Sequence, residues 1–330
     1  MSRAQPPPWT TTVSEPSIVV VGSHAPGVLI HVDRIPVAGE TVLARGYTEA
    51  PDGGKGSNQA IAAARLGGHV AFVGRLGADA RGQQAADMLT DDGVDIAHVL
   101  HATDEPTGTG VNLLDITGTP AMVTVPGANA GLTTEDAERA LAALAGADVL
   151  LVQLEIPQEV AFAALREGRR LGMRTMLNAA PANLSLNALP GGFIDVLVVN
   201  QVEAQTLLEA ATEDGEQLAT LLHTRTGIAR VVVTLGGDGL AACEEGASWR
   251  LPSTKVEVVD TSGAGDTFCA ALAVKLARHE TFRQACEWAS HAAAISVTRP
   301  GTIEAFPTVD DLVDSETAGP ALSVPAGEET

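Results

Sequence analysis

Two glycine-rich segments of this chain run straight into helical patterns, and each carries a charged side chain beside its glycines. The later one reads Asp260-Thr261-Ser262-Gly263-Ala264-Gly265-Asp266-Thr267-Phe268 and continues as an apolar run through Leu276. Gly263 and Gly265 leave backbone N–H groups open at a helix start, where the helix dipole favours developing negative charge. Asp266 falls in the first turn, close to the same point. A carboxylate beside an anion cradle has the parts of phosphoryl transfer: it accepts a hydroxyl proton while the N–H groups steady the moving phosphoryl. Read alone, Asp266 is more simply an acidic residue favoured by the dipole.

The earlier segment is Asp52-Gly53-Gly54-Lys55-Gly56-Ser57-Asn58-Gln59, opening an Ala-rich helix to about Leu66. Glycines before a helix let a ligand approach the backbone, and free helix N–H groups bind oxygen-rich ligands. Asn58 offers both a donor and an acceptor, which suits vicinal hydroxyls. The spacing does not match a Walker A loop. A plain glycine cap on a packed helix is the competing reading. Lys55 weighs against it, being one of only three lysines, with Lys255 and Lys275. Asn200 and Glu203 stand where a strand enters a helix. They fit a helix cap with its box glutamate better than a seat for hydrated Mg²⁺, though the residue types allow both. Thr234-Leu235-Gly236-Gly237-Asp238-Gly239 follows another strand and is either a turn past a nucleotide or a hairpin turn.

Elements to hold these loops are readable between them. Strand-like runs occur at Ile18–Gly22, Val70–Gly74, Val149–Leu154, Thr175–Leu177, Val196–Asn200 and Val231–Leu235. Helical periods occur at Thr134–Leu144, Gln158–Leu171, Val202–Ala211 and Phe282–Val297. Fully apolar strands alternating with helices predict an α/β fold with a mostly parallel sheet covered on both faces. Ligands of such sheets sit beyond the strands' carboxyl ends. Val28–Thr48 and Gly108–Val125 break the rhythm and read as hairpins, divided at Pro36–Gly39 and Gly118–Pro120. Together they predict a small β-sheet lid. Residues 1–16 and 315–330 lack periodicity and are expected to be flexible tails around a single domain over 17–312.

Hydrophobic residues make 45% of the 330 residues and charged ones 18%, a globular balance. The formal net charge of −21 disfavours nucleic-acid and membrane-surface partners. No apolar run reaches bilayer length, and no apolar h-region precedes the first strand. Cys243, Cys269 and Cys286 have neither metal nor redox spacing and are expected as reduced thiols of a cytoplasmic protein.

The order of these motifs resembles the ribokinase-like family of carbohydrate and nucleoside kinases, the phosphofructokinase-B type, from about Ser17 to Leu312. Between the two glycine segments lie, in order, Pro126-Gly127-Ala128-Asn129, Gln153-Leu154-Glu155, Asn178-Ala179-Ala180-Pro181-Ala182, Asn200 with Glu203, and Thr234-Leu235-Gly236; after them come His291-Ala292-Ala293-Ala294 and Thr298-Arg299-Pro300-Gly301. The resemblance implies a three-layer, Rossmann-like fold and ATP-dependent phosphorylation of a sugar. It further implies Asp266 as catalytic base, with Gly263, Ala264 and Gly265 as anion hole. Gly54, Lys55, Asn58 and Glu155 match sugar-contacting positions. Asn200, Glu203, Thr234, Gly236 and Gly239 match the nucleotide and Mg²⁺ side, with His291 near the adenine. Asp260, Ser262, Ser296, Arg299 and Gly301 match the surroundings of a monovalent cation, usually K⁺. The lid hairpins match a clasp that often pairs two subunits into a homodimer.

One segment departs from the family pattern. Ribokinases proper follow the first strand with Gly-Ser-x-Asn-x-Asp, whereas this chain has Gly22-Ser23-His24-Ala25-Pro26-Gly27. Two polar groups expected to bind sugar hydroxyls are missing, each worth about 1–3 kcal/mol if the hydroxyls stay buried. Compensation by His24 or Asp52, or an acceptor other than ribose, would account for the change. The glycine motif containing Lys55 keeps ribose as the first expectation. The scarcity of aromatics, 3% of residues, disfavours a nucleoside.

Overall fold

In the computed structural model, residues 16–50, 52–117, 120–189 and 191–317 are described. The chain opens with β1 (Ser17–Val21), β2 (Gly27–Val32), β3 (Ala44–Ala50), α1 (Lys55–Arg65) and β4 (His69–Val73). Then come β5 (Arg75–Gly77), α2 (Ala80–Asp91), β6 (Leu100–Ala102), β7 (Thr109–Leu114) and β8 (Pro120–Val125). The middle is regular: α3 (Thr134–Ala143), β9 (Val149–Gln153), α4 (Gln158–Arg170), β10 (Arg174–Asn178), β11 (Val196–Asn200), α5 (Gln201–Leu208), α6 (Gly215–Thr226) and β12 (Arg230–Thr234). It ends with β13 (Leu240–Glu244), β14 (Ala247–Leu251), α7 (Ala264–Ala277), α8 (Phe282–Ser296) and α9 (Val309–Thr317).

Eight strands form the main sheet in the order β14-β13-β12-β11-β10-β9-β1-β4. All neighbours from β4 to β12 are parallel. The hairpin β13–β14 adds an antiparallel edge that strand periodicity had not suggested. β1 is a run of β-branched residues buried on both sides, as a central parallel strand requires. Its alternate residues feed two cores. Ile18 and Val20 pack with α1, α2, α7 and α8 on one face. Val19 and Val21 pack with α3, α4, α5 and α6 on the other. The result is the expected three-layer α/β fold.

The predicted hairpins are present as a separate four-stranded sheet, β3-β2-β7-β8. Each hairpin is antiparallel, and the two meet through a parallel β2–β7 pairing. The α9 helix carries ordered structure to Thr317, and the remaining tail residues, 1–15 and 318–330, lie outside the described residues, as do two residues of the expected Gly118–Pro120 break. The three cysteines are free and buried. Among the described residues no helix is long and apolar enough to cross a membrane.

β1 pairs with β4 on one side and β9 on the other, so chain direction away from it reverses at its carboxyl end. That is the crevice where open α/β sheets bind ligands. α1 closes tightly on it. A Cβ at Gly56 would lie 2.4 Å from the Ser23 backbone nitrogen and 2.7 Å from the Gly22 carbonyl carbon. Neither neighbour can yield as a flexible side chain could. Gly56→Ala is therefore expected to lower stability by about 1–3 kcal/mol. A urea midpoint that falls at unchanged m would show it.

Candidate active site

Three loops meet at the crevice. The first leaves β1 as Gly22–Pro26. The second is the Gly53–Gly54 entry to α1, where both residues have positive φ, 137° and 86°. A Cβ at Gly54 would sit 2.6 Å from the Ala25 nitrogen, so the two loops touch backbone to backbone and only glycine fits. Ala25 N–H donates to the Gly53 carbonyl at 3.0 Å, and Ser57 N–H to the Ser23 carbonyl at 2.9 Å. The third loop follows β9 and brings Glu155. Helix α1 has no side-chain cap of its own. Glu155 supplies one from outside, its Oε2 accepting from the Lys55 N–H at 2.8 Å and from Ser23 Oγ at 2.6 Å.

The N-terminus of α7 arrives beside α1. Gly263 caps it in the left-handed conformation, φ 71°, with no side-chain cap. A Cβ there would meet Phe306 at 2.7 Å, whereas one at Gly265 would meet nothing within 4 Å. No side chain caps the first turn, where the Ala264 N–H makes only a long bond of 3.3 Å to the Thr261 carbonyl, and the space over Gly265 is open. Asp266 is buried at 8% exposure. Asn58 Nδ2 donates to its Oδ2 at 3.0 Å and Gln59 Nε2 to its Oδ1 at 2.9 Å. The two glycine segments, some 208 positions apart, share one carboxylate. Asn58 Oδ1 is buried without a partner. An orphaned acceptor of this kind costs about 1–3 kcal/mol, which a hydroxyl of a bound ligand would return.

Lys55 and Glu203 belong to the same electrostatic cluster. Burial works against the Lys55 charge, but Asp266, Glu155 and Glu203 outweigh it and hold its ammonium above the ordinary lysine range. Burial raises Glu203, helped by Asp266 and opposed by the Asn200 N–H and Lys55. Burial also pushes the Cys269 thiol, one turn beyond Asp266, well above its usual value, so it stays protonated.

The remaining predicted residues fall into two groups. Asn200 and Glu203 form a reciprocal capping box on α5, with both bonds at 2.8 Å. The cap reading is therefore correct, and Glu203 is at once a cap and a member of the cluster. Thr234, Gly236 and Gly239 lie on the turn between antiparallel β12 and β13, so the hairpin alternative describes that backbone. A Cβ at Gly239 would collide with the Leu251 carbonyl at 2.0 Å. His291 is half-buried on α8. The cation candidates draw two loops together. Asp260 Oδ1 accepts from Ser262 N–H at 2.9 Å and Oδ2 from Gly301 N–H at 3.0 Å. Burial would raise the Asp260 carboxyl, but donors from Ser262 and Gly301 prevail and lower it. Arg299 is paired with Asp311 at 2.5 Å, and Ser296 Oγ donates to the Ala293 carbonyl at 2.8 Å. Among the described residues no three His, Cys, Asp or Glu side chains converge on one point. A cation here would rest on carbonyl and hydroxyl oxygens, donors that suit a hard monovalent ion.

Of the two groups expected to compensate at the sugar side, Asp52 already spends one oxygen within the protein: its Oδ2 accepts from the Ile303 N–H at 3.1 Å. His24 is different. Ser57 Oγ has carbonyl acceptors at Gly53, 2.9 Å, and Gly54, 3.2 Å; with its proton on either, the His24 nitrogen 2.9 Å away is an N–H donor at Nδ1. Nε2 is then a buried lone pair without a partner. Sequence reasoning missed Gln59, Gln153 and Ser23 as site residues. The signal was present in Gln153, a polar side chain ending a fully buried apolar strand.

The chain matches the pfkB family carbohydrate kinase profile over residues 15–309. It is 32% identical over 300 residues to the ribokinase of Haemophilus influenzae, covering 90% of this chain and 97% of that one. The ribokinase of Bacillus subtilis is 35% identical over 296 residues, covering 90% and 98%. The structure of Arabidopsis thaliana ribokinase complexed with ribose and ATP superposes with a TM-score of 0.81 at 31% identity, over 92% of this chain and 98% of that one. The chain belongs to the pfkB family of carbohydrate kinases. By class it is an ATP-dependent sugar kinase.

Burial holds the His24 imidazole down at about 4, against 6.5 for a free histidine. The unfolded chain therefore takes up a proton that the folded protein refuses. The stability contribution is complete above pH 6.5 and is lost as pH falls towards 4, at about 1.4 kcal/mol per pH unit. His24→Asn keeps an N–H donor for Ser57 without the titration. Its urea midpoint is expected to fall less between pH 7 and 4.5 than that of the wild type; equal falls would contradict the assignment.

Proposed function

We propose that this enzyme transfers the γ-phosphoryl group of ATP to a hydroxyl of a sugar, ribose being the first choice, with Asp266 as general base. The observation that carries this is the sharing of Asp266 by Asn58 and Gln59 at the mouth of an uncapped helix. The Asp266 carboxylate takes the hydroxyl proton as the oxygen attacks, and the N–H groups of Gly263, Ala264 and Gly265 receive the charge that develops on the phosphoryl oxygens. Gly54, Lys55, Asn58 and Glu155 bind the acceptor: Asn58 Oδ1 accepts from one hydroxyl, and Lys55 places positive charge beside the acceptor's oxygens. Asn200, Glu203, Thr234, Gly236, Gly239 and His291 form the nucleotide side.

Mg²⁺, held at the Glu203 side, would neutralise charge on the triphosphate. K⁺, held between the Asp260–Ser262 and Ser296–Gly301 loops, would add positive charge beside the anion hole. The small sheet closes over the acceptor and excludes water, which limits wasteful hydrolysis. Its exposed apolar residues Tyr47, Val123 and Val125 support a homodimer through the lid. The acidic surface and reduced thiols fit a cytoplasmic enzyme with small-molecule partners.

A second acceptor is favoured by one observation. Ala25 and Gly27 present no polar side chain, and a recess of about 230 Å³ lies at Gly27, lined also by Pro26, Glu49, Ala50, Arg81 and Gln84. A pentose or hexose hydroxylated differently from ribose, a sugar phosphate or a polyol would use that space. A coupled ADP-release assay across such a panel is expected to show one sugar well above the rest. A panel that binds with no ATP turnover would indicate a sugar-binding regulator instead.

Asp266→Asn is expected to lower kcat by about 10²–10⁴ with the fold intact. Near-normal turnover in that variant would remove Asp266 from the mechanism.

A further inference from the structure

Asp266 is held by two donors, and the second, Gln59, lies within a chain of side-chain amides buried beneath the site. Gln59 is fully buried. Its Nε2 donates to Asp266 Oδ1 at 2.9 Å and to Asn178 Oδ1 at 3.1 Å, which uses both amide protons. Its Oε1 accepts from Gln153 Nε2 at 2.5 Å. Asn178 in turn donates through Nδ2 to the Val198 carbonyl at 3.2 Å. The chain links α1, β9 and β10 to the first turn of α7.

The direction of every amide in this chain follows from the carboxylate. An ionised carboxylate only accepts, so Gln59 must turn its nitrogen to Asp266 and its oxygen away. Only a donor can face that oxygen, so Gln153 must present its nitrogen. Gln153 Oε1 is then left on the far side, buried without a partner. A Cβ at Gly22 would come within 2.1 Å of it, so the amide also needs glycine at that position. An orphaned buried oxygen is costly and would be avoided by an apolar residue of the same shape. Its presence makes sense if the amide is kept for what its other end does.

We propose that Gln59 is a positioning residue for Asp266, holding the carboxylate in the plane from which it takes the acceptor proton, with Gln153 and Asn178 holding Gln59. Asn58 and Gln59 grip different oxygens, so together they remove rotation of the carboxylate about its last bond. Asn58 keeps an unpartnered Oδ1 that a ligand hydroxyl can fill, whereas both amide protons and the oxygen of Gln59 are already engaged. Its effect on the reaction passes through Asp266 alone. This inference rests on the reading of Asp266 as the base.

Gln59→Met keeps the length and removes the donors. Its kcat is expected to fall about tenfold to a hundredfold, the scale of a small misplacement of a reacting group. KM for sugar and for ATP should stay within about twofold, since no ligand contact is lost. In an Asp266→Asn background the same change should have no further effect on kcat beyond about twofold, because the group it positions is gone. Gln153→Met provides a second variant: it removes the orphaned Gln153 oxygen but leaves Gln59 Oε1 without its donor, so the number of unpaired buried oxygens is unchanged and the variant is expected to fold. It is expected to lose kcat several-fold at unchanged KM. Wild-type kcat in Gln59→Met, or in Gln153→Met should the former not fold, overturns the proposal. So does a loss that multiplies with Asp266→Asn. If Asp266→Asn itself turns over normally, the base reading fails and this inference with it; if Asp266→Asn is inactive and Gln59→Met is unaffected, only this inference fails.

Discussion

The structure depends on bringing two helix N-termini from opposite ends of the chain to one carboxylate. Asn58 and Gln59 on α1 both bond Asp266 on α7, at 3.0 and 2.9 Å. A buried carboxylate is tolerable only when its oxygens are paired, and here neighbouring amides do the pairing. That meeting fixes much else. α1 must lie against the exit of β1, which admits only glycine at 54 and 56. α7 must begin without a side-chain cap so that its first turn can face the same point. The sheet supplies the location, because its order reverses beside β1.

Charge balance at the site is local and runs against the molecule as a whole. The chain carries a net charge of −21, yet the crevice holds one of its three lysines among three carboxylates. The cluster sustains the Lys55 ammonium despite burial, while Glu203 is pushed up and Cys269 remains a neutral thiol. On the proposed reading a triphosphate would meet a fixed cation and a helix start with no side-chain cap, and the surface charge elsewhere would bear on solubility and encounter more than on binding.

Most of the scaffold was legible because its elements obey simple periods. The six fully apolar runs became parallel strands within a residue or two of their expected ends, and the two segments that broke the rhythm became the separate sheet. The β13–β14 hairpin escaped notice because Leu240–Glu244 is a short alanine-containing run without β-branched residues. At the site, Asp266 and Asn58 could be found from their glycine settings. Gln59 could not, since what it does depends on a partner 207 positions away. Asn200 with Glu203 shows the opposite case: the local cap was readable, whereas coupling of Glu203 to Lys55 and Asp266 arises only from the fold.

The measurement that goes most directly to the central claim is a crystal structure with a sugar that turns over and a non-hydrolysable ATP analogue. The account predicts the acceptor hydroxyl within hydrogen-bond reach of the Asp266 carboxylate, about 2.6–3.2 Å, with the terminal phosphate over the Gly263–Gly265 turn. A sugar bound with its reacting hydroxyl turned away from Asp266, or a terminal phosphate seated elsewhere than that turn, would contradict it.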